Sequence, residues 1–503
     1  MKRIVFLLCI AFAGGQLWAQ SEADQGNGYY LNPIFPGNYG DPSLVRVGEE
    51  YYMAFSRQNG VIIFHSRDLV SWEPLVRHRL PPGFDTVWAV DLQYFDGKFH
   101  VYMPIRSFPG KAEGAFGNFV ITAEDPAGPW SAPINLDIPI PDDADYSGID
   151  PGFLMTPEGD KYLYVNHGFA MKLNASGTKA VSTPKIVYEG WEYPDDWVVE
   201  CMCLESPKLF YRAPYYYLVS AQGGTSGPST AHMSVVARSE SPLGPWQNSP
   251  HNPLTHTWHH DEPFWHQGHG TVFEATDGSW WTVYHGRVND FPEMGRPTLL
   301  MPLTWTEDGW PVVQSGRRPW DLLPMPAGEK VAKRLSLSDD FAETELGMQW
   351  YAPNPWTSFL QVGQGQLQMM GADATERKQE IYQYAPDISF EVEVTIKGIP
   401  TGGQAGLMLG EVGISTNGSQ VMFVDAPEWR ARHSMYPVNP AQDLHLKIVN
   451  YRKDLSFFYS HDGHSWQKFS DGLRVDNSYR ISLFARGKDG EAVFSKFVYR
   501  RLE

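Results

Sequence analysis

The sequence predicts an all-β protein, a five-bladed β-propeller followed by a β-sandwich of the jelly-roll or lectin-like kind. Three observations carry this. One phrase returns five times at a spacing of roughly fifty to sixty residues, the length of a four-stranded propeller blade. The last third of the chain alternates apolar and polar residues, as strands with one buried face do. Helical periodicity is nearly absent, and 39 prolines oppose long helices.

The elements follow in chain order. Residues 1–19 read as a signal peptide. Lys2 and Arg3 precede an apolar run from Ile4 to Ala13, and Ala19 offers a small cleavage residue. The run is too short to span a bilayer. Cys9 falls inside it, so the expected destination is secreted or periplasmic, by soluble export. After cleavage Cys201 and Cys203 remain. They are not expected to pair, because alternate residues of a strand sit at a spacing hard to bridge. Two thiols alone make no cysteine metal site.

Residues 28–325 are expected to form the propeller. Its repeated phrase opens on an acidic or polar residue. A short apolar strand, a Gly or Pro turn and a strand rich in Tyr, Phe or Trp follow. The copies begin at Asp41, Asp91, Asp150, Glu205 and His269, with second strands near Tyr51, Phe99, Tyr162, Tyr215 and Trp280. Gly and Asp-Gly turns between such strands are hairpin signals. A further phrase, at Ser66–Trp72, Ala123–Trp130 and Ser239–Trp246, indicates outer strands. The stretch from Ala327 to Leu337 reads as a linker, and residues 338–503 as the sandwich. There Phe390, Val392, Val394 and Ile396 alternate with polar residues, as do Leu444, Leu446 and Ile448, and Asp462-Gly463 and Asp489-Gly490 mark turns.

Topology then brings chemistry together. The first strand of each blade lines the channel, so equivalent leading residues point at one axial spot. Asp41, Asp91, Asp150, Glu205 and His269 are placed around one pocket. Four carboxylates there would repel one another, a cost that makes sense when they are used. The plainer alternative is that they cap backbone amides in the turns between strands. The net charge of −18 with no basic tract disfavours nucleic acid and anionic membrane surfaces, and a neutral ligand such as a plant glycan fits. Aromatic residues are 14% of the chain, and their faces can stack on sugar rings or simply fill β-rich cores.

The propeller resembles glycoside hydrolase family 43, the group with β-xylosidases and α-L-arabinofuranosidases. The resemblance rests on Asn32-Pro-Ile-Phe-Pro-Gly-Asn-Tyr-Gly-Asp41-Pro-Ser, Gly148-Ile-Asp150-Pro, Leu204-Glu205-Ser-Pro-Lys-Leu-Phe, Gly268-His269-Gly270 and Gly295-Arg296. It implies Asp41 as general base, Glu205 as general acid and Asp150 as the residue that tunes and orients the acid. The C-terminal part is similar to the concanavalin-like sandwich attached to many members.

The chain departs from the family pattern at Lys208 (usually His), Val90 (usually Pro) and Pro297 (often Glu), so its pocket lining differs. Glu200 is a rival for the acid.

Trp88 is a candidate stacking wall or a core residue. Asp91, His269 and Arg296 are candidate sugar contacts. Arg296 could instead pair with a carboxylate. His269 could bind sugar, an axial water or a structural calcium ion. No cofactor is required and no metal ligand set is assigned.

The implied activity is inverting, exo-acting release of xylose or arabinofuranose from plant hemicellulose or its oligosaccharides. The alternatives are a non-catalytic glycan-binding propeller, a retaining fructan-cleaving type and another sugar such as galactose. The sequence does not fix oligomeric state.

Overall fold

Short apolar strands broken by tight turns build five blades, and a residue of the repeated phrase stands at or just before the first strand of blades one to four and within that of blade five. A computed structural model describes residues 23–110, 116–140, 146–331, 333–352, 358–371, 379–397, 403–424, 435–487 and 491–502. The signal-peptide reading and the Asp489-Gly490 turn lie outside these residues.

Blade one is an antiparallel meander of Ser43–Val47, Glu50–Arg57, Gly60–Ser66 and Glu73–Arg79. Blade two centres on Asp91–Phe95, Lys98–Ser107 and Gly117–Ala123, and blade three runs from Gly152–Met155 to Lys185–Ile186. Blades four and five start at Glu205–Arg212 and Phe264–Glu274. A single parallel contact, Met233 with Gln267, joins them into one nine-stranded sheet.

The ring closes twice. Tyr29–Tyr30 pairs with Leu323–Pro324, tying the two ends of the propeller together. One apolar cluster also takes Tyr51 and Phe55 from blade one with Phe273 and Trp281 from blade five. The Ser66–Trp72 type of phrase is the turn into each outer strand. In blade one, Asp68 Oδ1 accepts the amides of Val70 and Ser71 at 3.0 and 2.6 Å, and Glu73–Arg79 follows.

The C-terminal part is two packed sheets of seven and six strands, with Phe390, Val392, Val394 and Ile396 facing inward beside Leu444, Leu446 and Ile448. Among the described residues, helix is limited to two short 3₁₀ turns, Asn166–Gly168 and Pro292–Met294. The second inserts into the sandwich. Phe291 and Met294 are buried in the sandwich core, and Glu293 pairs with Lys453 at 3.3 Å. On the other side of the contact, Arg77 Nη1 donates to the carbonyls of Trp350 at 2.5 Å and Gly347 at 3.2 Å.

Candidate active site

Three positions of the repeat adopt a backbone that side chains rarely tolerate. Asp41, Asp150 and His269 have φ of 59°, 54° and 59°, and in blade four Ser206, next to Glu205, has 53°. Left-handed non-glycine residues persist where the surroundings enforce them, and they gather at functional sites. Here the turn aims each side chain inward just ahead of, or within, its strand. Gly152 sets the approach of blades three and four, since a Cβ there would collide with the Pro207 carbonyl. That close approach helps to place Asp150 beside Glu205. Oxygens of Asp150 and Glu205 and a nitrogen of His269 all lie within 4.8 Å of one another.

Asp41 sits in a cationic and polar grip. Arg296 Nη1 and Nη2 reach Oδ1 and Oδ2 at 2.6 and 2.7 Å, a two-bond fork. His269 Nδ1 and His285 Nδ1 each lie 3.1 Å from Oδ1. Burial works to raise the Asp41 carboxyl, but Arg296, His269 and His285 together override it and hold the group well below the usual carboxylate range. Burial also pushes His269 down to about 3, so the ring is neutral at ordinary pH.

Glu205 has the opposite surroundings. Burial, and then the negative charge of Asp150 and of Asp41, push its carboxyl well above the ordinary value. Burial and the charge of Asp41 also push Asp150 up. One carboxyl is therefore kept ionised and another kept protonated, which is the separation that acid–base chemistry on a single bond needs.

The structure corrects the reading of Asp91. Its side chain is 1% exposed and fully engaged. Oδ1 accepts from Lys208 Nζ at 2.8 Å and Ser43 Oγ at 3.1 Å, and Oδ2 accepts from the Phe153 amide at 2.8 Å and Gln93 Nε2 at 2.9 Å. No capacity is left for a sugar hydroxyl. Asp91 ties four blades together, and Lys208 is its buried counter-ion. Trp88 is no core residue: it is 43% exposed and leans on Phe116, with ring centroids 4.7 Å apart. Glu200 is exposed and accepts the Ser226 amide at 3.3 Å.

A second correction concerns Cys201 and Cys203, which form a disulfide. The segment is not a strand. Cys203 has φ of 41°, which folds the backbone back and brings the Cα atoms to 5.3 Å. That is within the range a disulfide spans.

Two residues escaped sequence reading. His285 lies on the second strand of blade five and His232 on the loop before the third strand of blade four, where no repeated phrase marks them. Nitrogens of His232, His269 and His285 come within 4.8 Å of one another. Three imidazoles suit zinc, copper or nickel, whereas calcium takes six to eight oxygens, so this trio does not fit calcium.

Comparison with known proteins gives consistent matches. The model of the family "Glycosyl hydrolases family 43" matches residues 30–311, and that of the "Beta xylosidase C-terminal Concanavalin A-like domain" matches 338–488. A non-reducing end α-L-arabinofuranosidase of Bacteroides ovatus is 32% identical over 372 residues, 68% of this chain and 65% of its own. A β-xylosidase of Bacillus subtilis is 30% identical over 325 residues, 57% of each chain. The matches thus span less than two thirds of these relatives' length. The solved structure of a family 43 protein from Bacillus licheniformis shares the fold, with a TM-score of 0.80 at 24% identity, covering 94% of this chain and all of the other.

Proposed function

From the premise that this chain belongs to glycosyl hydrolase family 43, we propose that it is an inverting glycosidase releasing xylose or arabinofuranose from the non-reducing ends or side branches of plant hemicellulose. The observation that carries this is the opposed setting of two carboxyls: Asp41 is gripped by Arg296, and Glu205 is crowded by Asp150. Asp41 takes a proton from the water that attacks the anomeric carbon. Glu205 gives its proton to the departing glycosidic oxygen, whose C–O bond breaks as the water's bond forms. Asp150 keeps Glu205 protonated by denying it a second nearby negative charge. No cofactor takes part in these steps.

The pentose is supported by the relatives, whose names are α-L-arabinofuranosidase and β-xylosidase. Exo action is supported by the printed "non-reducing end" of the first of them. Export is supported by the charged and apolar N-terminal run and by the Cys201–Cys203 disulfide, which persists in oxidising compartments. A screen of aryl β-xyloside, α-arabinofuranoside and β-galactoside identifies the sugar. Proton NMR of the first-formed sugar then decides the mechanism. Inverted configuration is expected, and retention would make Asp41 a nucleophile and overturn it.

A further inference from the structure

We propose that an aromatic track running from Glu205 into a cleft on the flank of blades four and five binds the leaving-group side of a neutral pentose polysaccharide; this rests on the pentosidase reading above. The general acid stands on the side from which the leaving group departs. Side chains that lead away from Glu205 therefore face the remainder of the chain rather than the sugar being released.

The track starts at the acid. Glu205 pairs with Ala221 on the neighbouring strand, and the next residue, Gln222, clamps Trp191 from both sides of its peptide. Its Oε1 accepts the Trp191 amide at 2.6 Å, and its Nε2 donates to the Trp191 carbonyl at 2.9 Å. Tyr193 lies against Trp191 with centroids 6.1 Å apart, and donates its hydroxyl to the Met202 carbonyl at 3.0 Å. Trp191 meets Trp197 at 5.8 Å. Trp197 stacks on His256 at 4.6 Å with planes 7° apart, and its ring meets Trp258 edge-on at 5.8 Å. Each ring is braced by the previous one, so the row is ordered without substrate.

The row ends in open space. Trp258 is 58% exposed, although Glu262 Oε1 fixes its backbone amide at 3.1 Å. It forms one wall of a cleft of about 820 Å³, with Trp320 and Arg317 also lining it and Gln267 and Tyr284 among the residues that reach it. None of Asp41, Asp150 or Glu205 lines this cleft. Gln267, which reaches the cleft, and His269, which touches Asp41, lie two residues apart on one strand, so the cleft and the catalytic pocket are neighbours along it. Aromatic faces beside amide, hydroxyl and guanidinium groups match a sugar chain, which offers apolar ring faces and a hydroxyl rim.

The test compares wild type with Trp258→Ala and Trp197→Ala in the full chain. Aryl pentoside turnover checks the function reading on its own. Chain-length dependence checks the track, using xylobiose through xylohexaose and an arabinoxylan. Both variants are expected to keep aryl pentoside kcat/KM within about twofold. On xylohexaose and arabinoxylan they are expected to lose about tenfold in kcat/KM, mostly through KM, the order one aromatic platform supplies. Binding of xylohexaose by calorimetry should weaken in parallel. If aryl pentosides turn over but the variants match wild type on the hexamer, the track is overturned and the pentosidase reading stands. If aryl pentosides are not turned over while Trp258→Ala still weakens xylohexaose binding, the pentosidase reading falls, and the leaving-group role of the track is overturned with it although the row binds glycan. Absence of xylohexaose binding in wild type, or a change confined to oligomeric state, overturns the track.

Discussion

Arg296 closes a two-bond fork on Asp41, so the proposed base is held by a guanidinium that itself enters from the blade-five loop reaching the sandwich. Without that cation, burial would dominate and the Asp41 carboxyl would rise. Arg296→Met should therefore move the acidic limb of the kcat/KM profile to higher pH. At neutral pH it should cost about a hundredfold, the scale of losing a competent base. Arg296→Lys keeps the charge but not the fork and should fall between. An unmoved acidic limb in Arg296→Met would show that Arg296 does not set the ionisation of the base.

Glu205→Gln separates stability from activity. The native Glu205 carboxyl titrates above its unfolded value, so between those two pKa values the folded state holds a proton the unfolded chain has released. Stability from this group is thus intact at low pH and falls as pH rises through that window. Gln mimics the protonated acid and removes the loss. Glu205→Gln should melt higher than wild type at pH 8 and equally near pH 4, at roughly 1–2 °C per kcal/mol for a chain of this size. Turnover of natural substrates should drop by about 10²–10⁴, with aryl glycosides of good leaving groups partly spared. Thermal melts at both pH values with paired kinetics check it. Unchanged turnover of natural substrate would return the acid role to Glu200.

Asp41, Asp150 and Glu205 were legible because a repeat carries positional information: the same place in each blade faces the same axis. Asp91 shows the limit of that reasoning. Its place in the repeat is right, but its oxygens are claimed by Lys208 and the Phe153 amide, partners 117 and 62 residues away along the chain. The cysteine reading failed for a local reason, since it assumed extended backbone where Cys203 is left-handed. His232 and His285 carried no signal, because they lie off the first strands and only the folded ring brings them to the axis. Nor could Phe291 and Met294 be read as sandwich core, since the sequence places them within the propeller.

The Lys208–Asp91 pair is predicted to matter for folding. Both groups are almost wholly buried, at 5% and 1% exposure, so removing one leaves the other charge without a partner. Lys208→Met should destabilise the protein by about 3–5 kcal/mol, and adding Asp91→Asn should recover much of that. Denaturant unfolding of the single and double variants measures the coupling. If the double variant is no better than the single one, Asp91 is held by its amide and hydroxyl donors rather than by Lys208.

The sandwich is expected to support the active site rather than to bind glycan on its own. Autonomous binding through tryptophan is not favoured by the two sandwich tryptophans among the described residues: Trp350 is fully buried and Trp466 lies beneath Lys447, whose Nζ is 4.1 Å from its ring. Support has a specific route. Phe291 and Met294 are buried in the sandwich core, the chain leaves blade five at Val288 and re-enters it at Thr298, and Arg296 lies two residues after Met294. Arg296 is also steadied through Asn38, whose Oδ1 accepts the Arg296 amide at 3.2 Å and whose carbonyl accepts from Tyr351 of the sandwich at 3.4 Å. Phe291→Ala should cost about 3–5 kcal/mol as a large-to-small core change. Below its melting temperature it should still shift the acidic limb upward, in the direction of Arg296→Met, and Phe291→Leu should largely restore that limb. A chain ending at Ala327 should be unstable or inactive on small aryl substrates. Full activity of the shortened chain on aryl substrates, with a loss only on polymer, would establish the sandwich as an independent binding module.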